Sequence, residues 1–253
     1  MQTLKVRSMV LGEGREKLIC PITAPELENA LACSDEIARS RADAAEYRAD
    51  LSADAMNAEA LINNTRLIRE ALRGKPLLFT YRTEGQDSPQ LGREAVYELC
   101  KNIITLGAAD MIDIEFSSPY AEELAQRAKA AGIISVISRH NFSAIPHEDE
   151  IRAFVGKARA VGGDIVKYAY KISSKAELLR FLAVTNELTA VEGAGLICAV
   201  PMSEEYAFGR LICAQFGSCM SFCALNGDKS APGQADIELA AAVADALGRA
   251  NNT

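Results

Sequence analysis

Ile165-Val166-Lys167-Tyr168-Ala169-Tyr170, introduced by Asp164, is a short run of β-branched and aromatic residues with a single lysine inside it. Its length and composition read as a buried parallel strand. Apolar residues at helical spacing follow over 174–188, so the unit is a strand and then a helix. Seven further runs of this kind lie at 17–22, 45–50, 77–82, 111–116, 133–138, 195–200 and 219–225. Helical patterns occupy 25–41, 56–73, 93–106, 121–131 and 148–161, then a weaker stretch at 207–216 and a last one at 235–249. Gly74, Gly107, Gly132 and Gly162 stand where helices should stop, and Pro76 closely follows the first of them. Eight strands alternating with eight helices in 253 residues is the arithmetic of the α/β class, a single (β/α)8 TIM barrel over residues 1–253. The alternative, a doubly wound open sheet, wants a Gly-rich first turn, and Ile22-Thr23-Ala24-Pro25 is not one. Residues 1–16, with Val10-Leu11-Gly12-Glu13-Gly14, read as a short N-terminal β-hairpin extension ahead of the first barrel strand. No linker, low-complexity tract or repeat divides the chain.

Composition narrows the function classes. The chain is 49% hydrophobic and 24% charged, enough apolar material for a substantial core, and its net charge is -7. No basic patch interleaved with aromatics occurs, which argues against a nucleic-acid partner. The first residues carry neither a long apolar core nor a cleavage-site pattern. No apolar run approaches the ~20 residues that cross a bilayer. The expectation is a cytoplasmic protein without a membrane partner. Seven cysteines, an odd number without a CxxC pair, read as small buried hydrophobes in a reducing compartment rather than disulfides or zinc ligands.

In a barrel, chemistry gathers at the C-terminal ends of the strands. Those ends supply Glu46 and Arg48, Arg82 and the following Glu84, Asp113 and Glu115, His140 just past the fifth strand, Lys167 ending the sixth, and Met202 after the seventh. Lys167 shares a strand face with Ile165 and Ala169 by period-2 alternation. A lysine facing a pocket has a neutral form that attacks carbonyl carbon to give an imine. Otherwise it is a strand-end lysine that reaches solvent or pairs with an acid. His140, one of two histidines, has a side chain suited to proton transfer, with an unperturbed pKa of ~6.5. The alternative is a loop histidine with a structural hydrogen bond. A metal site built from His140, His147 and Glu148 fits no ligand spacing, and Glu148 belongs more simply to the first turn of a helix. Arg48 and Arg82 in one barrel mouth suggest an anionic substrate and press like charge toward the lysine. They also have acidic neighbours, Glu46, Asp50 and Asp113, to pair with. Ser230-Ala231-Pro232-Gly233-Gln234 is either an ordinary connection or a lid over the substrate.

Taken in order, Glu46-x-Arg48-x-Asp50, Phe79-Thr80-Tyr81-Arg82, Met111-Ile112-Asp113-Ile114-Glu115, His140-Asn141-Phe142, Lys167, Met202-Ser203, Gly209-Arg210 and Ser230 to Gln234 resemble the type I 3-dehydroquinate dehydratases. The resemblance runs along essentially the whole chain. It implies a (β/α)8 barrel that dehydrates 3-dehydroquinate to 3-dehydroshikimate in the shikimate pathway, with no cofactor and no metal. It makes Lys167 the imine-forming lysine, His140 the general acid/base and Glu84 the residue that orients the histidine. Glu46, Arg48, Arg82, Met202, Arg210, Phe222, Ser230, Ala231 and Gln234 would line the substrate site, with Arg210 and Gln234 on the substrate carboxylate. A homodimer is implied as well. The chain departs from the family pattern in a shorter segment after Arg82 and in Cys20-Pro21 on the first strand. It also has a slightly longer stretch between Phe222 and Ser230, and Ser203-Glu204-Glu205-Tyr206 in place of a Ser-Lys-Thr-Gly-like run. Three other readings compete: a class I Schiff-base aldolase, a relative acting on another keto-polyol acid, and a non-catalytic barrel that binds a polyol acid. The aldolase is disfavoured because no phosphate-cradling Gly-rich turn follows strands seven or eight.

Overall fold

A computed structural model of the chain describes residues 3–85, 90–191 and 195–250. The chain opens with the antiparallel hairpin β1 (Leu4–Val6) and β2 (Met9–Leu11), its turn passing through Arg7 at φ 52°. The short apolar runs then form β3 (Lys17–Ile22), β4 (Ala44–Arg48), β5 (Leu77–Thr80), β6 (Met111–Glu115), β7 (Ile134–Asn141), β8 (Ile165–Lys171), β9 (Leu196–Met202) and β10 (Met220–Phe222). These pair in parallel in the order β10-β3-β4-β5-β6-β7-β8-β9. The ring closes between β9 and β10 through a parallel bridge, Ile197 to Ser218, with the Cys219 N–H donating to the Ile197 carbonyl at 2.8 Å. The expected (β/α)8 barrel and its N-terminal hairpin are both present.

The connecting helices are α1 (Leu27–Arg39), α2 (Ala58–Ala71), α3 (Arg93–Thr105), α4 (Ala121–Ala131), α5 (Glu148–Ala160), α6 (Lys175–Ala190), α7 (Phe208–Ile212) and α8 (Ile237–Ala250). α7 is the weak pattern of the sequence, five residues followed by a 3-10 turn at Cys213–Phe216. Gly132 ends α4 at φ 71°, a left-handed angle that costs a residue with a Cβ far more than it costs glycine.

Period-2 alternation sorts each strand between two cores. On β8, Ile165 and Ala169 face the barrel interior, while Val166, Tyr168 and Tyr170 pack under the helices, Tyr168 edge-on to Phe181 at 5.4 Å. The floor of the interior is apolar. Val6, Met9 and Leu11 of the hairpin meet Ile19, Leu78, Met111 and Ile165 there, all buried. Arg7 latches the hairpin from outside by donating to Asp110 at 2.8 Å.

Several strand ends differ from expectation: β4 stops at Arg48 and β5 at Thr80, short of the runs that announced them. His140 lies inside β7 rather than past it, because the ladder to β8 continues through His140 and Ala169 to Asn141 and Tyr170. Lys167 is the third residue of β8 rather than its last, because pairing with β9 runs on to Lys171 and Met202. β10 is shorter than the run 219–225 that announced it. Among the described residues no helix is long and apolar enough to cross a membrane, and no cluster of three His, Cys, Asp or Glu is placed to hold a metal ion.

Candidate active site

The C-terminal strand ends surround a cavity of about 480 Å³, its open mouth included. β4 contributes Glu46 and Arg48, the connection two residues past β5 Arg82, β7 His140, β8 Lys167 and Ala169, β9 Val200 and Met202, and β10 Phe222. Arg210 enters from α7, and Ser230, Ala231 and Gln234 come from the loop after β10. The nine residues that the resemblance puts around a substrate all line this one cavity. Of the expected set only Glu84 stands behind the wall.

Lys167 is buried, and its nearest charges are carboxylates. Nζ lies 3.0 Å from Asp113 Oδ2 and 3.8 Å from Glu46 Oε1, and 4.4 Å from the centre of the Phe222 ring. Arg48 and Arg82, the arginines expected to press like charge toward this lysine, are each bonded to a carboxylate, and Arg82 shares Asp113 with Lys167. Arg82 lies 2.8 Å from Asp113 and 2.9 Å from Glu115, and Ser138 Oγ donates to Asp113 at 2.6 Å. Burial alone would raise the Asp113 pKa; Arg82 and Lys167 outweigh it and hold the carboxyl well below the usual carboxylate range. Arg48 binds Asp50 through two bonds of 3.0 and 2.6 Å. Thr80 Oγ1 donates to Glu46 at 2.8 Å. A buried charge is tolerated when it is paired and hydrogen-bonded in this way.

Arg210 is the exception. It is buried, it donates to the Pro232 carbonyl at 2.7 Å, and its Nε is buried without a partner. Among the described residues no carboxylate forms an ion pair with it. Burial lowers its pKa to about 10. The loop beside it is braced internally: the Ser230 N–H donates to Gln234 Oε1 at 2.8 Å, and Gln234 Nε2 donates to Ser230 Oγ at 3.0 Å.

The His140 side chain is only 8% exposed, and its ring stacks on Phe142 with centroids 5.8 Å apart. Burial first, then the charges of Arg82 and Lys167, push its pKa well below the ordinary histidine value, so the ring is neutral at pH 7. A neutral imidazole accepts a proton, as a general base must. Nδ1 points toward Glu84 Oε2 at 3.7 Å, beyond hydrogen-bond length, and both atoms are buried without a partner. Glu84 therefore reaches the histidine across its shortened loop without bonding it. Its position is set by Ser117, which donates to Oε1 at 2.7 Å, and by Glu115, which accepts the Glu84 N–H at 3.1 Å. Burial raises the Glu84 pKa. The segment after Arg82 runs on into Gln86, which lies outside the described residues. His147 is elsewhere, exposed at the start of α5 and accepting the Asp149 N–H at 3.3 Å.

Sequence reasoning set Asp113 at a strand end as a partner for the arginines and Ala169 on the Lys167 face, but gave neither a role toward substrate; it quoted Phe142 only within a family motif and passed over Val200. Alternation could have found Val200, which shares its face with Met202.

Comparisons with known proteins agree with this geometry. A family model described as type I 3-dehydroquinase matches residues 18–250. The 3-dehydroquinate dehydratase of Escherichia coli O6:K15:H31 (strain 536) is 31% identical over 240 residues, covering 94% of this chain and 95% of that protein. That of Enterococcus faecalis (strain ATCC 700802) is 30% identical over 242 residues, with coverages of 94% and 95%. Among solved structures, the type I 3-dehydroquinate dehydratase of Clostridium difficile with covalently modified comenic acid superposes with a TM-score of 0.91 at 26% identity, covering 98% of each chain. The 3-dehydroquinate dehydratase of Geobacillus kaustophilus gives 0.91 at 26% identity, covering 98% of this chain and 97% of that one.

Proposed function

The chain belongs to the type I 3-dehydroquinase family, hydro-lyases that dehydrate 3-dehydroquinate in the shikimate pathway, and from that premise we propose that it works through an imine on Lys167 with His140 as general acid/base. The observation that carries this reading is one cavity holding a buried lysine amine, a neutral buried imidazole and an arginine without an acidic partner.

Water must leave 3-dehydroquinate from C1 after a proton leaves C2, and that proton is only weakly acidic beside a ketone. The Lys167 nitrogen gives a proton to His140 and adds to the C3 carbonyl; the imidazolium returns that proton to the carbinolamine hydroxyl, which departs as water, and the resulting iminium draws electrons from the C2–H bond. His140, neutral at the outset, takes the C2 proton and leaves an enamine. As imidazolium it then protonates the C1 hydroxyl, which departs as water while the enamine returns to a conjugated iminium. Hydrolysis frees 3-dehydroshikimate and restores the lysine, so one water is lost overall. Proton transfers of this kind contribute ~10²–10⁴-fold each.

The surroundings suit each step. Asp113, 3.0 Å from Nζ, stays ionised and offsets the iminium charge. Glu84, 3.7 Å from Nδ1, faces the imidazolium when it forms. Lys167, Arg48 and Arg82 each have a carboxylate within 3.0 Å, so Arg210 has the free capacity to bind the substrate carboxylate. Glu46 accepts from substrate hydroxyls. The reading takes the whole chain as one catalytic domain, acting as a homodimer in the cytosol.

The test is to add 3-dehydroquinate and borohydride and to examine the Lys167 peptide by mass spectrometry. A reduced adduct on Lys167 is expected, together with its loss and the loss of turnover in Lys167→Ala. Turnover by a protein whose lysine stays unmodified would overturn the imine.

A further inference from the structure

We propose that Glu204 is a latch that holds the 229–234 loop down over the cavity and so sets how much of the protein is closed around its ligand. The proposal rests on the reading of that cavity as the 3-dehydroquinate site.

Glu204 lies in the β9–α7 connection, on the rim of the mouth. One carboxylate oxygen accepts the Gly233 N–H at 3.1 Å, and the other lies 4.0 Å from Lys229 Nζ. A single side chain thus grips the loop at both of its ends. The other ties come from within the cavity: Arg210 donates to the Pro232 carbonyl at 2.7 Å, and Arg48 to the Ser230 carbonyl at 3.5 Å. Two cavity arginines hold the inner side of the loop and Glu204 holds the outer side.

The fit at the latch point is close. Gly233 sits at φ +75°, and a Cβ built there would fall 2.1 Å from the Ser203 carbonyl oxygen. The loop backbone therefore lies directly on the segment that carries Glu204, which only a glycine allows. An exposed ion pair such as Glu204–Lys229 is weak by itself. A carboxylate accepting a backbone N–H is the stronger contact, and both are made by one side chain. The segment Ser203-Glu204-Glu205-Tyr206 puts an acid at this point. An acid at 204 pairs with Lys229; a lysine there would repel it.

A ligand that needs the closed loop binds in proportion to the closed fraction. Loosening the latch therefore raises KM and leaves kcat alone, and it frees the backbone beside Lys229, whose side chain is already exposed, to enter a protease whether or not substrate is present. The experiment compares full-length wild type, Glu204→Ala, Glu204→Gln and Glu205→Ala. The last removes a neighbouring acid that accepts the Tyr206 hydroxyl at 2.8 Å and does not touch the loop. In Glu204→Ala, cleavage by trypsin after Lys229 without ligand and KM for 3-dehydroquinate should both rise roughly 3–10-fold, with kcat unchanged. Glu204→Gln, which keeps an acceptor but not the charge, should fall between, and Glu205→Ala should match wild type. Wild-type cleavage and KM in Glu204→Ala would overturn the latch. So would a kcat loss as large as the KM change, or equal loosening in Glu205→Ala. If the wild type fails to dehydrate 3-dehydroquinate, the proposed function falls, while the ligand-free cleavage rates still decide for or against the latch.

Discussion

At the floor of the barrel the hairpin residues Val6, Met9 and Leu11 press on Ala44, Met111 and Ile165; one pleat further along the same strands stand Glu46, Asp113 and Lys167, and all of these are buried. The floor gains from removing apolar surface from water, about 25 cal/mol per Å². The layer above it consists of charges whose desolvation is costly and which persist only as a closed set of pairs. Two residues of strand separate a part of the molecule that supplies stability from a part that consumes it. Function and folding are thus divided by height in the barrel rather than by segment of sequence.

The separation can be broken from the mouth first. His140→Ala should lower kcat by ~10²–10⁴ while thermal unfolding stays near wild type, measured by formation of the conjugated enone and by calorimetry. The wild-type acid limb of kcat/KM should fall below the ordinary histidine range, because burial and then Arg82 and Lys167 depress the pKa of His140. The sign is fixed: the base works in its neutral form, so activity holds as pH drops through 6.5 and declines only lower. A limb at or above 6.5 would contradict the buried neutral ring.

From the floor the expected effect is on stability alone. Leu11 is fully buried against the interior strands. Leu11→Ala should cost about 2–5 kcal/mol by denaturant unfolding, with kcat unchanged at temperatures where the variant is folded. A proportionate loss of kcat would show that the two ends are coupled and that the comparison fails.

The smallest expected effect sharpens the comparison, because it concerns a charge on the apolar side. Glu16, just before β3, is 9% exposed, and its Oε2 is buried without a partner. Burial raises its pKa from 4.5 to about 8 against the opposing charge of Arg15. Between those values the folded chain holds a proton that the unfolded chain has released, so stability declines as pH rises through that window and levels off above it. Glu16→Gln should leave the melting temperature unchanged at pH 5 and raise it by a few degrees at pH 8. An equal shift at both pH values would mean that packing, not ionisation, is responsible.

How much of this could be read before the fold was seen depends on whether the information is local. Side-chain direction along a strand is local: it follows from alternation, and that is why Lys167 could be set on one face with Ile165 and Ala169. Arg210 and the loop residues Ser230, Ala231 and Gln234 were expected only from the family resemblance, and they line the same cavity. The barrel itself follows from the count and order of strand and helix patterns. Strand ends were less legible. His140 and Lys167 sit inside their strands because neighbouring strands extend the ladders, and a neighbour's length is not written in the strand itself.

What the sequence determined alone, then, was the architecture and, along each strand, which side chains face inward, because each is a periodic property of a short segment. The tertiary structure decided which charge meets which: Lys167 with Asp113 across 54 positions, Arg82 with Glu115, Glu84 short of His140, and Arg210 left without an acid. These pairings depend on strand register and on the loops above it, and so on contacts between distant segments that come into being only when the ring of strands closes.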